Sequence, residues 1–464
     1  MADTALKPGA PIGNARAIAV VGAGWAGCAA AVELAERGCQ VTLYEAARTL
    51  GGRARAVEID GRTLDNGQHI LLGAYRSTID LMRRVGIDPR KTLLTLPLQM
   101  RYPPNSGGMD FLTPRWPAPL HVAVALLRTR GLARADKLAL ARFSTTVRWM
   151  GWQLDHDCSV SELLARFDQT ARLIQLLWRP LCLAALNTAP ERASAQVFLN
   201  VLRDSLGARR SASDMLLPRL DLSALFPAAA ARFIGQRGGA VRTASAIDAL
   251  RQNDDGRWQL AARADGGADG APWSAPYHGV VLATPAGVTG ALLTPLPGPL
   301  NATLLAQLAG FEHEAISTCY LQYDAGLRLA LPFYALIDDA AAGQWGQFVF
   351  DRGQLDPSQA GLLAVVISAA GAAAELDRAA LAQAIAQQLA GVFGLPALAA
   401  PIWHQLITEK RATFACLPAL ARPPNATAYA GLAIAGDYTA SDYPATIEAA
   451  VRSGLLAAAC VAPA

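Results

Sequence analysis

The sequence predicts an α/β fold built on a parallel sheet, with a second region of α+β character inserted into it. Three observations carry this prediction. The apolar run 17–21 leads into a glycine-rich turn and an alanine-rich helix, and the apolar run 40–44 ends at Glu45. The third is the apolar run 429–435, followed by Gly436 and another helix. Short apolar runs alternating with helices are typical of parallel strands, because helices cover both faces of such a sheet.

The turn after the first strand reads Gly22-Ala-Gly24-Trp25-Ala26-Gly27, a spacing that favours dinucleotide binding. Gly22 permits a tight turn, Gly24 lets the backbone approach a pyrophosphate, and Gly27 lets the helix lie close to the strand. The N–H groups at the start of the helix, on Trp25 and Ala26, are free to bind the anion. The turn therefore predicts a phosphate site.

Glu45 lies at the tip of the second predicted strand and is followed by Ala46. A carboxylate there can accept hydrogen bonds from a ribose diol, so a dinucleotide with a free 2′-hydroxyl fits the site. Glycine-rich turns also occur for packing alone. Two strands, a helix and Glu45 in register favour ligand binding over that alternative.

A second glycine pair, Gly51 and Gly52, follows directly and precedes Arg53. Two glycines let the backbone pass close to another part of the same cofactor, and an arginine can pair with its phosphates. This pattern resembles the FAD-containing amine oxidase and carotenoid desaturase superfamily. The resemblance implies a Rossmann-like FAD-binding domain with an inserted α+β substrate domain, in the glutathione-reductase-like arrangement of amine oxidases. It also implies that Gly52 and Arg53 lie along the pyrophosphate of FAD.

The order of predicted elements divides the chain into two discontinuous domains. Residues 17–96, 208–298 and 405–464 are expected to form the FAD-binding domain. Residues 97–207 and 299–404 are expected to form the substrate-binding domain, in which a helical pattern from about 120 to 207 precedes strands near 315–323, 346–350 and 362–369. Residues 1–16 carry no long apolar run and are expected to form a flexible tail.

The same resemblance assigns further cofactor residues. Gly436 and Asp437 are expected to hold the ribityl and phosphate region. The helix that begins near Ala445-Thr446-Ile447 is expected to aim its N-terminus at the pyrimidine edge of the flavin, where a helix dipole favours an anionic reduced ring. The strand through Ala246 resembles the one whose backbone meets adenine.

Two longer motifs give a closer resemblance. Asp65-Asn66-Gly67-Gln68-His69 lies in a polar run between apolar flanks, and Glu409-Lys410-Arg411-Ala412-Thr413-Phe414 lies near the end of the chain. Both are similar to motifs of the squalene-associated desaturase branch, the hydroxysqualene dehydroxylases of bacterial hopanoid synthesis. That family reduces the allylic alcohol hydroxysqualene to squalene with FADH2 and releases water. Gly67 and Gln68 are accordingly expected beside the flavin.

Such a reaction needs a proton donor for the leaving water, shelter for an allylic cation, and a hydride source. His69 is the first candidate for the donor, since imidazole titrates near ~6.5. Alternatively, it only hydrogen-bonds the flavin or the backbone. Gln68 is expected to contact the isoalloxazine through its amide, and Asp65 to hold a turn. Lys410, with Arg411, is expected to stabilise reduced flavin or orient water, with a surface salt bridge as the alternative.

A C30 isoprenoid substrate requires a long apolar tunnel. The aromatic residues that could line it, or could equally fill the core, are Trp149, Trp152, Trp178, Phe198 and Phe226. Because such a substrate partitions into lipid, we expect a peripheral contact with the inner face of the cytoplasmic membrane through residues 116–130. A functional link to the enzymes that form hydroxysqualene is also expected.

Composition argues against several other classes. Lys+Arg 41 against Asp+Glu 37 gives a net charge of +4, too small to indicate a nucleic-acid partner. The seven cysteines form no CxxC pair, which indicates reduced thiols in a cytoplasm, and no motif predicts a metal site. No segment reaches the ~18 uncharged apolar residues needed to span a bilayer.

Three other functions stay open at this point. A carotenoid or phytoene desaturase would transfer hydride in the opposite direction on a similar hydrocarbon. An amine oxidase would need a carboxylate site for a substrate ammonium, which the helical region does not offer. A flavin-free protein that binds prenyl lipids is the non-enzymatic alternative, and the intact Gly51-Gly52-Arg53 and Gly436-Asp437 sequences argue against it.

Overall fold

The computed structural model describes residues 15–263, 273–296 and 301–463, so nearly all of the predicted tail 1–16 lies outside the described residues. Within these ranges the strands are β1 (Ala17–Val21), β2 (Gln40–Tyr44), β3 (Ala56–Ile59), β4 (Arg62–Asp65), β5 (Leu71–Leu72), β6 (Leu93–Leu96), β7 (Gln99–Arg101), β8 (Asp110–Leu112), β9 (Met215–Pro218), β10 (Ala240–Arg242), β11 (Ile247–Gln252), β12 (Trp258–Ala262), β13 (Gly279–Leu282), β14 (His313–Gln322), β15 (Phe333–Ala335), β16 (Phe348–Asp351), β17 (Leu362–Ser368), β18 (Trp403–Phe414) and β19 (Leu432–Ile434). The α-helices of the same ranges are α1 (Trp25–Glu36), α2 (Arg76–Arg84), α3 (Pro89–Thr92), α4 (Leu120–Arg128), α5 (Arg134–Trp149), α6 (Val160–Arg166), α7 (Ala171–Leu173), α8 (Arg179–Leu186), α9 (Ala195–Ser205), α10 (Leu222–Leu225), α11 (Pro227–Gln236), α12 (Ala286–Leu293), α13 (Asn301–Ala309), α14 (Gly371–Ala374), α15 (Arg378–Phe393) and α16 (Ile447–Val461).

Five parallel strands form the predicted first sheet, in the order β10-β2-β1-β13-β19. The order reverses beside β1, which has β2 on one side and β13 on the other. Because all five strands run in the same direction, their carboxyl ends meet at one edge, which carries Gly22, Glu45 and Gly436. Doubly wound sheets bind ligands at such an edge. The predicted α/β fold class is confirmed.

Helix α1 is buried on nearly all sides, which explains its alanine-rich sequence. Its outer face lies against α16, where a Cβ at Gly454 would come within 2.1 Å of the Ala26 carbonyl oxygen. The two helices can therefore cross at this distance only with glycine at position 454. This crossing places the C-terminal helix beside the first turn of α1.

The second sheet is antiparallel, in the order β15-β16-β17-β14-β18. Strands β14, β16 and β17 lie where the sequence predicts them, whereas β15 and β18 were not predicted. Strand β18 pairs with β14 between Trp403 and Phe414, so it belongs to this sheet. The predicted domain boundary at residue 405 falls inside β18, and a boundary after Phe414 agrees with the pairing.

The helices α4 to α9 occupy the region in which a helical pattern was predicted. Between α7 and α8 the chain forms a π-helical turn, Ile174–Trp178. Pro180 has no N–H for the Leu176 carbonyl oxygen, which instead accepts a hydrogen bond of 2.8 Å from the Tyr102 hydroxyl. Across the described ranges of the chain, no helix has both the length and the apolar character needed to cross a bilayer.

Candidate active site

The turn after β1 contains two glycines that are required by packing within the protein. Gly22 has a φ of +97°, and a Cβ there would come within 2.5 Å of the Ala283 carbonyl oxygen. A Cβ at Gly27 would lie 1.8 Å from the Gly22 carbonyl oxygen. Both positions therefore need glycine for the helix, the turn and β13 to fit together, whether or not a ligand binds.

Gly24 differs, because its protein surroundings do not demand a glycine. Its φ of −68° and ψ of 179° suit any residue, and a Cβ there would lie 3.8 Å from the Gly52 Cα, an ordinary contact. Gly24 and Gly51 form a β-bridge, so the two glycine segments run side by side. No side chain caps the N-terminus of α1 beside them. The result is a cradle of bare backbone that fits a pyrophosphate.

Trp25 and Ala26 can face a ligand only through their backbone N–H groups, because their side chains pack against other parts of the protein. The Trp25 indole donates a hydrogen bond of 3.0 Å to the Ala54 carbonyl oxygen, and its ring centroid lies 5.0 Å from that of Phe226. Ala26 is buried under α16. The contact with Trp25 places Phe226 against α1 and not in a substrate tunnel, which corrects one of the five tunnel candidates.

The Glu45 carboxylate is held at the edge of the sheet by two backbone groups. It accepts hydrogen bonds from the N–H of Ala23 at 2.7 Å and from the N–H of Ala47 at 2.9 Å. The bond to Ala23 ties the carboxylate to the glycine turn. Ala46 lies between Glu45 and Ala47 and is exposed. The half-buried carboxylate retains free lone pairs for a ribose diol, as the sequence predicts.

Ala246 lies one residue before β11, in a half-buried segment. Its carbonyl oxygen accepts a hydrogen bond of 2.7 Å from the N–H of Arg263. The N–H of the preceding residue, Ser245, donates to the Glu45 carbonyl oxygen at 2.8 Å. The segment therefore passes directly beside the predicted ribose site, where a contact with adenine through the backbone is feasible.

An ion pair joins the two glycine motifs from opposite ends of the chain. Arg53 Nη2 lies 2.7 Å from Asp437 Oδ1, and Arg53 Nη1 donates a hydrogen bond of 2.6 Å to the Ala412 carbonyl oxygen. The nearby Asp437 charge raises the pKa of Arg53 further. A Cβ at Gly436 would come within 2.4 Å of the Tyr438 ring, so that ring requires glycine there. The pair leaves the Arg53 side chain 41% exposed and able to meet a phosphate.

Helix α16 begins at Ile447, with Thr446 as its N-cap and Ala445 just before it. The Thr446 hydroxyl oxygen accepts a hydrogen bond of 3.2 Å from the N–H of Ala449. Asp442, whose side chain is 71% exposed, lies four residues before this cap and outside the helix. Ala445, Thr446 and Ile447 form the N-terminus that was expected to face the flavin.

Glu448, in the first turn of α16, was missed by the sequence analysis. Its buried carboxylate accepts hydrogen bonds from the N–H groups of Ser77 at 3.1 Å and Thr78 at 2.9 Å, at the start of α2. The first turn of α16 is expected to face an anionic reduced flavin, and an acidic side chain pointing the same way would repel it. This conflict is the signal in the sequence by which Glu448 could have been found. The structure resolves it by directing the carboxylate away, toward the N-terminus of α2.

The two long motifs lie against each other. The Asn66 side-chain amide donates to the Arg53 carbonyl oxygen at 3.1 Å and to Glu409 Oε2 at 3.3 Å. In the β14–β18 pairing, Glu314 faces Thr413 and Ile316 faces Glu409, so residues 410–412 form a bulge opposite a single residue of β14. Bulges are frequent next to active sites.

Lys410 lies in this bulge, and its side chain is exposed. Its neighbour Ala412 contacts Arg53 through the carbonyl oxygen. Lys410 therefore lies two residues before the contact with Arg53, in the same bulge, and stays exposed. An exposed lysine agrees with orienting water at the rim of the site more readily than with a buried contact to the flavin.

His69 is half-buried, and its Nδ1 lies 2.7 Å from the Gly67 carbonyl oxygen. A carbonyl oxygen only accepts, so Nδ1 carries the hydrogen and a neutral ring presents Nε2 as an acceptor. Burial lowers the pKa of His69, the bond to Gly67 opposes this, and the Arg53 charge lowers the pKa further. The lowered pKa favours the neutral imidazole, which would need a proton before it could act as the predicted acid.

Gln68 is held by a buried arginine that the sequence analysis missed. Arg352 Nη1 donates a hydrogen bond of 2.9 Å to Gln68 Oε1, and Arg352 Nη2 lies 3.7 Å from Asp65 Oδ2. Burial raises the pKa of Asp65 to about 6, although Arg352 and the N–H of Leu222 act in the opposite direction. No motif surrounds Arg352 in the sequence, so no signal marked it.

Arg422 was also missed. Its guanidinium donates to four carbonyl oxygens of the segment that joins β19 to α16, and it lies 4.8 Å from the centre of the Phe414 ring. The four acceptors are Asp437 at 2.5 Å, Tyr438 at 3.3 Å, Ser441 at 3.0 Å and Tyr443 at 2.7 Å. This clamp fixes the segment between Asp437 and the N-terminus of α16.

The remaining tunnel candidates divide into surface and core. Trp149 is 87% exposed and cannot line an enclosed tunnel, which corrects that expectation. Trp178 and Phe198 are fully buried, with ring centroids 6.1 Å apart, and pack in the main hydrophobic core. Trp152 is half-buried against the same core. The contacts of Trp152, Trp178 and Phe198 are therefore those of residues that pack in the hydrophobic core.

Known proteins resemble the chain along almost its whole length. The family model of flavin-containing amine oxidoreductases matches residues 25–462. Hydroxysqualene dehydroxylase of Rhodopseudomonas palustris is 30% identical over 460 residues, covering 96% of this chain and 97% of the relative. Zeta-carotene desaturase of Zea mays is 37% identical over 123 residues, 26% of this chain and 21% of the relative.

A solved structure of an oxidoreductase from Methanosarcina mazei superposes with a TM-score of 0.70. It covers 95% of this chain and 99% of its own, at 14% identity, and so supports the fold alone. The family match bears on the site as well, since it runs from Trp25, in the glycine turn, through helix α16. The chain therefore belongs to the flavin-containing amine oxidoreductase family, in which it is similar to hydroxysqualene dehydroxylases, and it is a flavin-dependent oxidoreductase.

Proposed function

We propose that the protein binds FAD and reduces hydroxysqualene to squalene, with release of water. The observation that carries this proposal is the contact between the two long motifs, in which Asn66 Nδ2 donates to Glu409 Oε2 at 3.3 Å. Both motifs resemble those of hydroxysqualene dehydroxylases, and a full-length relative bears that name. The two motifs, 65–69 and 409–414, meet beside Arg53 and Asp437. The residues that distinguish this family of substrates would therefore lie next to the proposed flavin site.

The choice of FAD rests on the two halves of the proposed cofactor site. The bare backbone at Gly24 and Gly52 suits a pyrophosphate, and the anchored Glu45 carboxylate suits an adenosine ribose. Gly67, Gln68 and Asp437 would lie along the flavin half. The N-terminus of α16 would face the ring, and its dipole would stabilise negative charge there.

The reaction replaces an allylic C–O bond by a C–H bond. When bound, reduced flavin supplies the hydride for the carbon, and the leaving oxygen takes a proton to become water. His69, once its Nε2 has taken up a proton from solvent, would donate that proton to the oxygen of the substrate hydroxyl, which then leaves as water. Lys410, at the exposed bulge, would orient the departing water. Gln68 would hold the ring by its amide.

A desaturase remains the second candidate, because a zeta-carotene desaturase also matches part of the chain. That match covers 26% of the chain, against 96% for hydroxysqualene dehydroxylase. A partial match of this kind is expected from a shared nucleotide site. The C30 alcohol is therefore preferred over a carotenoid, and enzymes that form this alcohol are the proposed suppliers of the substrate.

The purified protein should carry a flavin spectrum that matches FAD after extraction. Photoreduced protein mixed anaerobically with hydroxysqualene should become oxidised and yield one squalene per flavin, while phytoene and a polyamine leave it reduced. His69→Ala should slow this step ~10²- to 10⁴-fold if the imidazole moves the proton. Flavin that stays reduced with hydroxysqualene would contradict the substrate assignment, and near-normal turnover of the variant would remove His69 from the mechanism.

Peripheral membrane contact is proposed for α4 and the residues before it. Leu120 and Leu127, one face of this helix, are 53% and 74% exposed, and Trp116 is 48% exposed. The exposed Arg128 and Arg130 follow directly and suit anionic lipid headgroups. An apolar face with a basic border is typical of helices that lie in a membrane surface.

Vesicle flotation tests this contact with a matched pair of variants. Leu127→Ser should reduce the fraction of protein that floats with anionic vesicles several-fold. Ile402→Ser, which changes an equally large side chain that is 69% exposed just before β18, should leave it unchanged. Equal flotation of the two variants would contradict a contact through α4.

A further inference from the structure

We propose that Arg352 is a positioning residue that turns the Gln68 side-chain amide so that it offers N–H donors, and no acceptor, to the flavin. This inference rests on the proposed function, which places the flavin ring beside Gln68. It goes beyond that function by naming the hydrogen-bonding groups that Gln68 presents to the ring, and Arg352 as the residue that fixes their orientation. The two residues are 284 positions apart.

The geometry fixes the orientation of the amide. Arg352 Nη1 lies 2.9 Å from one terminal atom of the Gln68 side chain, and the other terminal atom lies 3.3 Å from the His69 carbonyl oxygen. A guanidinium has donors and no acceptor, so the atom that faces it must be the amide oxygen. The atom that faces the His69 carbonyl must then be the nitrogen. Both contacts select the same orientation of the amide.

Arg352 is itself well anchored for this task. Its Nε donates a hydrogen bond of 2.8 Å to Gln359 Oε1, and its Nη2 lies 3.7 Å from the Asp65 carboxylate. The side chains of Arg352 and Asp65 are 3% and 2% exposed. Asp65 is held in turn, since its Oδ1 accepts a hydrogen bond of 2.8 Å from the N–H of Leu222. A buried cation with partners on three sides cannot rotate freely, so it fixes Gln68.

After its bond to the His69 carbonyl oxygen, the fixed amide has one N–H that meets no acceptor among residues 15–263, 273–296 and 301–463. A flavin ring carries more negative charge on its oxygens and nitrogens when reduced, and a hydrogen-bond donor stabilises that charge. Gln68 held in this orientation therefore favours the reduced ring. An amide free to turn would present its oxygen part of the time, and this advantage would be lost.

A double-mutant cycle on the FAD-loaded protein tests the inference. The readout is the ratio of reduced to oxidised flavin against a reference dye at fixed potential. Arg352→Met and Gln68→Leu should each lower this ratio at least tenfold, which is about 30 mV for a two-electron couple. In the Gln68→Leu background, Arg352→Met should add less than twofold. A full tenfold addition there would mean that Arg352 acts through its own charge, and it would overturn the proposal.

Two controls separate positioning from folding. Arg352→Lys keeps a buried cation and a donor for the Gln68 oxygen, so it should stay within threefold of the wild-type ratio even if Arg352→Met folds poorly. Arg179→Met removes an arginine paired with Asp338 at 3.0 Å and should leave the ratio unchanged. Loss of the wild-type ratio in Arg352→Lys would contradict the proposal.

Failure of the proposed function would be seen separately. If the cycle behaves as expected but hydroxysqualene does not oxidise the flavin, the substrate assignment falls and the role of Arg352 stands. If hydroxysqualene is reduced but Arg352→Met keeps the wild-type ratio, the role of Arg352 falls alone. A protein that takes up no FAD would overturn both.

Discussion

The two halves of the proposed cofactor site differ in the groups they present: mainly backbone at the nucleotide end and side chains at the ring end. At the nucleotide end, neighbouring residues act through their backbone: Gly27 is required by its contact with Gly22, Gly22 by its φ of +97° and its contact with Ala283, and Gly24 leaves bare backbone beside Gly52. At the ring end, side chains from distant segments meet, as Arg352 meets Gln68. Short-range constraints leave a motif in the sequence, and long-range contacts do not. The same difference predicts how each half responds to substitution.

The largest effect is expected at a glycine that packing within the protein requires, whether or not a ligand is bound. Gly27→Ala would place a Cβ 1.8 Å from the Gly22 carbonyl oxygen, so α1 would have to move away from the turn. We expect a loss of about 4 kcal/mol or more in the free energy of unfolding, or no folded protein, since backbone cannot yield as a side chain does. Chemical denaturation of the flavin-free protein measures this loss.

A matched control is Gly235→Ala in α11. Nothing lies within 4 Å of a Cβ at Gly235, so this change should stabilise the protein by up to about 1 kcal/mol through helix propensity. Equal stability of the two variants would contradict the close fit between the helix and the turn.

A smaller effect is expected from the buried charge at the ring end. The pKa of Asp65 is raised to about 6 from 3.8, so the folded state binds the proton more tightly than the unfolded state. The stability from this proton is present below about pH 4 and is lost as the pH rises through 6. A shift of this size corresponds to a change on the order of 3 kcal/mol.

The free energy of unfolding of the wild type should therefore fall between pH 4 and pH 7, relative to Asp65→Asn, which has no titrating group there. Denaturation of both proteins at several pH values isolates the difference, because other groups titrate equally in the two. Parallel pH profiles would show that Asp65 carries an ordinary pKa, as an exposed carboxyl would.

The smallest effect on folding is expected at Gly24, where the constraint comes from the ligand. Gly24→Ala should change the free energy of unfolding of the flavin-free protein by no more than about 1 kcal/mol, typical of a helix N-cap. Its affinity for FAD should fall at least tenfold, because the new methyl group would stand where the backbone approaches the pyrophosphate. Titration of the flavin-free protein with FAD measures this. Unchanged affinity would remove the pyrophosphate from this turn.

These contrasts explain what could be predicted from the sequence. The strands β1, β2 and β19 and the helix α1 were predicted because apolar runs and glycine turns follow local rules. Strand β18 was missed because Glu409, Lys410 and Arg411 interrupt its pattern at the bulge. Arg352 and Glu448 were missed because their partners lie 284 and 370 positions away in the chain. Arg422 was missed because it acts on backbone carbonyl oxygens, which no side-chain motif marks. His69 was predicted as a candidate acid from its residue type, and that role stays a prediction, but its lowered pKa depends on burial, which no motif encodes.

The ion pair between Arg53 and Asp437 has a consequence for the order in which the protein matures. The first half of the cofactor site leaves the ribosome early, with β1, α1 and β2. Its counterparts in β19 and α16 follow only much later, since Asp437 is translated 384 residues after Arg53. Until then, the glycine cradle lacks the strand and helix that complete it. Cofactor capture should therefore be a post-translational event, and truncated chains released before residue 437 should emerge colourless.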